Sequence, residues 1–264
     1  MKGIILAGGT GTRLLPLTAI TSKQLLPVYD RPMIFYPLDT LIKAGIRDIL
    51  IIVSPEHSGN FLNLLGSMFQ KFGVNLSFVV QKSPRGLAEA YVLAEDFLDG
   101  QPSVLVLGDN LFEDDFTEAI QSFKQGGRIF AKQVPDPQRF GVVEFGSDYK
   151  VLSIEEKPEQ PKGTFAIPGV YIFDSEAVKV AKSLIPSARG ELEITDLQKY
   201  YLEKQTLDVR VITGAWFDMG THESLFAAGS FAREKELGKQ AHPMINDAIA
   251  EFNAEFKKIV SLKK

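Results

Sequence analysis

Hydrophobic positions along the chain follow two spacings in turn. Near-continuous apolar runs at residues 3–6, 48–53 and 103–107 leave no polar face, the pattern of strands covered on both sides, and 76–80 reads as another strand. Between them, apolar residues recur at steps of three and four. Met33, Leu38, Leu41 and Ile42 predict a helix opened by Pro32 and closed by Gly45, Phe61, Leu64, Leu65 and Met68 a second, and residues 87–97 a third. This alternation predicts an α/β protein, a three-layer α/β/α Rossmann-like fold on a mostly parallel central sheet. From Gly127 the rhythm changes to short extended runs at 128–134, 141–145, 151–155 and 164–173, which predict a mixed sheet. Helices return at 175–184 and near Asp196, where Thr195 and Gln198 have capping-box spacing, and 207–213 reads as a last strand. From Met244, the residues Ile245, Ile249, Phe252, Phe256 and Ile259 make one apolar stripe, so the tail predicts an amphipathic helix. Packing on its own domain is the first reading of that stripe and a subunit contact the second. With no linker and no repeat, the organisation expected is a single domain over 1–240, in halves 1–126 and 127–240, and a tail helix over 241–264.

Composition narrows the class. A 45% hydrophobic content over 264 residues is ample for a buried core. The formal net charge of −4 excludes a broad basic face for nucleic acid, although a few local cations can still hold a small phosphorylated ligand. There is no cysteine, so disulfides and thiolate metal sites are excluded. No apolar run reaches the length of a membrane span and the first residues are too short for a signal peptide, so the expectation is a cytoplasmic protein without a membrane partner.

The candidate chemistry starts at the first strand, which empties into Gly8-Gly9-Thr10-Gly11-Thr12-Arg13, with Lys23 ten residues on. Glycines let backbone N–H groups converge on an anion, a following helix N-terminus would add partial positive charge, and two cations complete a phosphate cradle. The dinucleotide fingerprint fails at Leu14, and the Gly-Lys-Ser/Thr of a P-loop is absent. By pattern alone an ordinary strand-to-helix turn fits equally well. Residues 8–13, Gln81 and Asp109 all follow predicted strand ends, where ligands of such sheets gather, so they share one expected crevice. The three histidines, His57, His222 and His242, lack ligand spacing, which argues against zinc, and His222 reads as a helix start.

The residues Leu6-Ala7-Gly8-Gly9-Thr10-Gly11-Thr12-Arg13-Leu14, with Ser22-Lys23-Gln24-Leu25-Leu26-Pro27-Val28, closely resemble the signature of sugar-1-phosphate nucleotidylyltransferases. Further blocks at 81–90, 107–110, 140–145, 155–158, 186–196 and 216–224 recur in family order, so the resemblance runs to about Arg233. It implies a nucleotide-binding half over 1–126 and a sugar-phosphate half over 127–240. Nucleotide contacts implied are Leu6, Gly8, Gly9, Thr10, Gly11, Thr12, Arg13, Gln81, Gly86 and Asp109, with Gln81 and Gly86 reading the base. Those implied for the sugar phosphate are Leu87, Asn110, Gly141, Glu156, Lys157, Ile167 and Tyr171. Asp109 and Asp218 match the family's Mg²⁺ carboxylates, and Arg13, Lys23, Lys157 and Arg189 its catalytic cations.

The resemblance implies transfer of a nucleotidyl group from dTTP to glucose 1-phosphate in a homo-oligomer, feeding deoxysugar-nucleotide supply. UTP is the alternative donor, because thymine and uracil share the edge a glutamine reads. The sugar-phosphate oxygen is already anionic and needs no general base, so the lack of a Ser/His pair is no objection. Departures from the family pattern fall at Lys82, Arg85, Glu89, Phe140 and Met219 and leave the charged set intact. A non-catalytic sugar-nucleotide sensor is the rival of another class. Such a protein would be expected to lose the cations or metal carboxylates, which are all present. An NAD-binding oxidoreductase is weaker still, given Leu14.

Overall fold

The computed structural model describes residues 1–262. Four strands form a parallel block in the order Ser103–Leu107, Lys2–Ala7, Asp48–Val53, Asn75–Val80. Ile4, Ile5 and Ala7 at its centre are fully buried, as a strand covered on both faces requires. Val170–Phe173 runs antiparallel to Ser103–Leu107 and leads into Gly127–Gln133, Phe165–Ala166, Gly141–Phe145 and Val151–Glu156, while Leu207–Val211 lies parallel to Gly127–Gln133. One ten-stranded mixed sheet thus carries residues from either side of position 126.

Helices cover both faces. On one, Phe35–Lys43, Ser58–Leu65 and Thr117–Gln121 deliver Leu38, Leu41, Phe61, Leu65 and Ile120 onto Ile5, Ile51 and Val106. On the other, Glu89–Leu93, Glu176–Ser183 and Ile194–Glu203 deliver Tyr91, Val180, Leu197 and Tyr201 onto Ile4, Leu50, Leu105 and Ile129. The three-layer α/β/α fold expected from the alternating pattern is the one observed. A smaller cluster of Val28, Met33, Leu111, Met219, Ala228 and Ala232 seats the helix His222–Glu234 on the hairpin Pro27–Val28/Arg31–Pro32.

Several local expectations are corrected. Pro32 does not open a helix: it pairs with Pro27 across the Tyr29-Asp30 turn, and the helix begins at Phe35. A missing N–H is as harmless in a two-stranded ribbon as in a first helical turn. The helix expected over 87–97 is broken at Ala94 into Glu89–Leu93 and Glu95–Leu98. The run 164–173 is broken at Pro168, which cannot donate to a ladder, into Phe165–Ala166 and Val170–Phe173. The capping box of Thr195 and Gln198 is absent, because Glu193 occupies the N-cap of Ile194–Glu203 and both residues turn inward. A capping box forms instead between Thr221 and Ser224, and His222 is the first residue of the helix behind it.

The tail helix Pro243–Leu262 buries Ile245 and Ala248 in the main core, as its first reading expects. Farther along, Phe252 stacks on the exposed Phe256, and the side chain of Ile259 lies outside the described residues. Among the described residues no helix is long and apolar enough to cross a membrane.

Candidate active site

A cleft of about 630 Å³ opens beyond the carboxyl ends of the parallel strands and extends over the antiparallel half. Its phosphate end is the glycine loop. Gly11, at φ +65°, turns the chain back, and its carbonyl accepts from Thr18 Oγ1 at 2.8 Å and from Leu14 N at 2.9 Å. Only a glycine takes this turn without strain, since a Cβ would also meet Thr18 Cγ2 at 2.9 Å. The helix expected behind the loop is a single turn, Thr12–Leu14, too short to add a helix dipole, so the positive charge here belongs to side chains. Arg13 lies over Gly220, where a Cβ would stand 2.5 Å from its Nη2, and Lys23 Nζ lies 3.6 Å from the corresponding point on Gly9. Gly8 does not line the cleft: its Cα backs onto the side chain of Gln81.

Lys23 is ion-paired with Asp109, in the turn between Ser103–Leu107 and the short strand Asn110–Phe112. That strand pairs antiparallel with Trp216–Asp218, so Asp218 stands opposite Asn110 and Met219 N donates to the Asp109 carbonyl at 2.9 Å. Burial alone would raise the Asp109 carboxyl. The charge and hydrogen bond of Lys23, the Asn110 amide and its own backbone N–H outweigh that and hold it below its ordinary value. Asp218 moves the opposite way: burial and then the charge of Asp109 raise it, against the opposing pull of Lys23, Arg13 and Arg139. A carboxylate held ionised beside a second one that its charge disfavours is a donor pair suited to a hard cation. No group of three or more metal-ligating side chains gathers among the described residues, so such a cation would take its other ligands from water and phosphate oxygens.

The far end is built by the antiparallel half. The break at Pro168 turns Ile167 into the cleft beside Gly141, Glu156 and Tyr171. Burial raises the Glu156 carboxyl. Lys157 opposes the shift, Glu193 reinforces it, and Arg189 opposes it. Burial and the charges of Glu156, Asp109 and Asp218 push the Tyr171 phenol far above its ordinary value. Lys157 is held at φ +41°, a strained backbone for a lysine, with its N–H donating to the Phe140 carbonyl at 3.0 Å. Arg189 donates to Glu193 at 2.8 Å, Glu191 at 3.1 Å and Glu156 at 3.4 Å, so carboxylates fix its guanidinium at the rim. Asn110 Oδ1 accepts from Gly169 N at 3.2 Å and Trp216 Nε1 at 2.6 Å, and Leu87 closes the floor.

Apart from Gly8, every residue expected to bind nucleotide, sugar phosphate or metal or to act in catalysis lines this cleft. The sequence reading missed Arg139, whose Nη2 lies 3.9 Å from Asp218 Oδ2, and Trp216, whose ring lies 4.9 Å from that of Phe140. It also missed the inward-facing Thr195 and Gln198, whose hydroxyl and amide are buried in the cleft wall without hydrogen-bond partners. For Trp216 the available signal was that it is the only tryptophan in the chain.

A glycine loop with two cations, facing paired carboxylates across a cleft at the strand ends, is an arrangement suited to polyphosphate. The chain belongs to the nucleotidyl transferase family, whose model matches residues 2–235. Among its relatives, the glucose-1-phosphate thymidylyltransferase of Neisseria meningitidis serogroup A is 50% identical over 256 residues, 95% of this chain and 88% of the relative. That of Xanthomonas campestris pv. campestris strain B100 is 51% identical over 236 residues, 87% of this chain and 80% of the relative. A solved structure from Bacillus anthracis, described as a glucose-1-phosphate thymidylyltransferase in complex with sucrose, superimposes with a TM-score of 0.83 at 45% identity, covering 88% of this chain and 95% of that one.

Proposed function

We propose that this chain transfers a thymidylyl group from dTTP to glucose 1-phosphate, giving dTDP-glucose and pyrophosphate. The observation that carries the reading is the placement of Asp109 and Asp218 in one cleft, between the loop cations Arg13 and Lys23 and the far-side residues Lys157 and Glu156. The identity of about half of all positions to named thymidylyltransferases supports the choice of substrates.

In this reading the triphosphate lies along the glycine loop, where Arg13 and Lys23 neutralise its charge. Lys157 holds the sugar phosphate with its anionic oxygen facing the α-phosphorus, and the Glu156 carboxylate accepts from sugar hydroxyls. Arg189, fixed by its three carboxylates, lends positive charge at the same rim. The oxygen forms a bond to the α-phosphorus as the bond to the α,β-bridging oxygen breaks, and the electron pair leaves with pyrophosphate. No proton has to move, so catalysis rests on positioning and charge neutralisation. Mg²⁺ held by Asp109 and Asp218 would neutralise charge on the transferring group.

Pyrophosphate release with Mg²⁺ and glucose 1-phosphate, with dTTP and UTP side by side, tests the reading. A preference for dTTP is expected, and a preference for UTP would keep the mechanism and change the nucleotide. Lys157→Ala should lower kcat on the order of 10²-fold, and unchanged turnover would remove Lys157 from its role.

A further inference from the structure

Glu89 opens a short helix, yet it is only 3% exposed, and its carboxylate is bonded to neighbours rather than to water. Oε2 accepts from Gln81 Nε2 at 2.8 Å and from Arg85 N at 3.1 Å. Oε1 accepts from Arg85 Nε at 2.8 Å and lies 2.6 Å from Arg85 Nη2. A carboxylate held by an arginine accepts and does not donate. That settles the orientation of the Gln81 amide, because only its nitrogen can face Glu89. Its oxygen then points the other way, over the bare Cα of Gly8, where a Cβ would stand 2.3 Å from it. Gln81 lines the cleft, and with its nitrogen committed to Glu89 the group it has left for a ligand is the oxygen, an acceptor.

We propose that Glu89 is a positioning residue for base selection. By holding the Gln81 amide nitrogen, it makes the site demand an N–H at the pairing edge of the base. A pyrimidine with a ring imide meets that demand. Cytosine brings a lone pair to the same ring position, so two acceptors would face each other in a buried site. A site built around a hydrogen bond rejects such an analogue strongly, here on the order of 10²-fold or more. Thymine and uracil both satisfy it, so the Glu89 contact excludes cytosine without choosing between dTTP and UTP. The inference rests on the nucleotidyl-transfer reading above.

The test compares wild type, Glu89→Leu and Glu89→Gln, with affinities for dTTP and dCTP measured by calorimetry and turnover by pyrophosphate release. Wild type should prefer dTTP. Glu89→Leu removes the acceptor and frees the Gln81 amide to turn, so the dTTP/dCTP ratio should narrow about 10-fold or more, through KM rather than kcat. Glu89→Gln should keep the ratio, because it still offers an oxygen to Gln81 while Arg85, 64% exposed, turns to water. A Leu variant with the wild-type ratio, an equal loss for both nucleotides, or a Gln variant as relaxed as the Leu variant would overturn the proposal. Should circular dichroism show the Leu variant unfolded, Glu89→Met, which fills the space without an acceptor, is read in the same way. Absence of pyrophosphate release from wild type would count against the transferase reading alone, since the calorimetric ratio still reports on Glu89.

Discussion

Replacing Lys23 with methionine keeps its length and removes its charge, and the consequence should appear in stability as well as in turnover. The side chains of Lys23 and Asp109 are 14% and 12% exposed, so the pair is largely buried. Removing one partner of a buried pair costs about 3–5 kcal/mol, because the other charge is left uncompensated. The open cleft lets water reach Asp109, and we take about half of that, roughly 2 kcal/mol. In a chain of this size each kcal/mol moves Tm by roughly 2–4 °C, so Lys23→Met should melt about 4–8 °C below wild type near neutral pH without divalent cation. Lys23→Met/Asp109→Asn removes both charges and should recover most of that loss, while its turnover stays as low as that of either single variant. Asp109 is held below its ordinary value in the folded protein, so its contribution is present above the unfolded carboxyl value and lost as pH falls through the folded one. The gap between wild type and Lys23→Met should therefore close below about pH 3.8. Differential scanning fluorimetry and pyrophosphate release measure both sides. A single variant melting within about 1 °C of wild type, or a double variant less stable than the single, would refute the account.

Glu156 shows the opposite linkage. Its folded value is raised, so the folded protein binds the proton more tightly and stability falls as pH rises through the range just above 4.5. Glu156→Gln should therefore melt above wild type at pH 7 and level with it well below 4.5, while kcat/KM for glucose 1-phosphate falls; a lower melting temperature at pH 7 would contradict this. Gly86 stands at φ +102°, with Leu192 O and N at 2.4 and 2.5 Å from any Cβ. Gly86→Ala should cost about 3 kcal/mol in a urea melt and lower dTTP affinity, since it pushes apart the loop carrying Gln81 and the segment leading to Glu193.

What the sequence disclosed follows from how local each signal is. The strands Lys2–Ala7, Asp48–Val53 and Ser103–Leu107 were legible because burial on two faces leaves runs without polar residues. The glycine loop and Asp109 were legible because they sit directly at the ends of such runs, while Lys23, well beyond the first strand, was legible through the family signature around it. Asn110–Phe112 and Trp216–Asp218 were not, since three residues are too few to display a period and each is a strand only because the other pairs with it. Arg139 belongs to the site through a contact 79 positions away in sequence, which no local pattern encodes. Thr195 and Gln198 carried a real spacing signal with the wrong meaning. The helix begins two residues earlier than a cap at Thr195 requires, which turns both side chains to the cleft wall.

The turn Gly108-Asp109-Asn110 stands where the sheet changes from parallel to antiparallel, because Ser103–Leu107 pairs with Lys2–Ala7 on one side and Val170–Phe173 on the other. A strand end on the parallel side therefore lies beside the strand start on the antiparallel side, and Leu107 N donates to the Gly169 carbonyl at 2.8 Å. From this one turn, Asp109 reaches Lys23 of the phosphate loop, the Asp109 carbonyl reaches Met219, and Asn110 reaches Gly169 and Trp216. Lys23 at the phosphate end, the strand that carries Asp218 and the start of the antiparallel side are thus bonded to the same turn. Misplacing any one of them pulls on Asp109, which is why the arrangement depends on long-range hydrogen bonds rather than on any single loop.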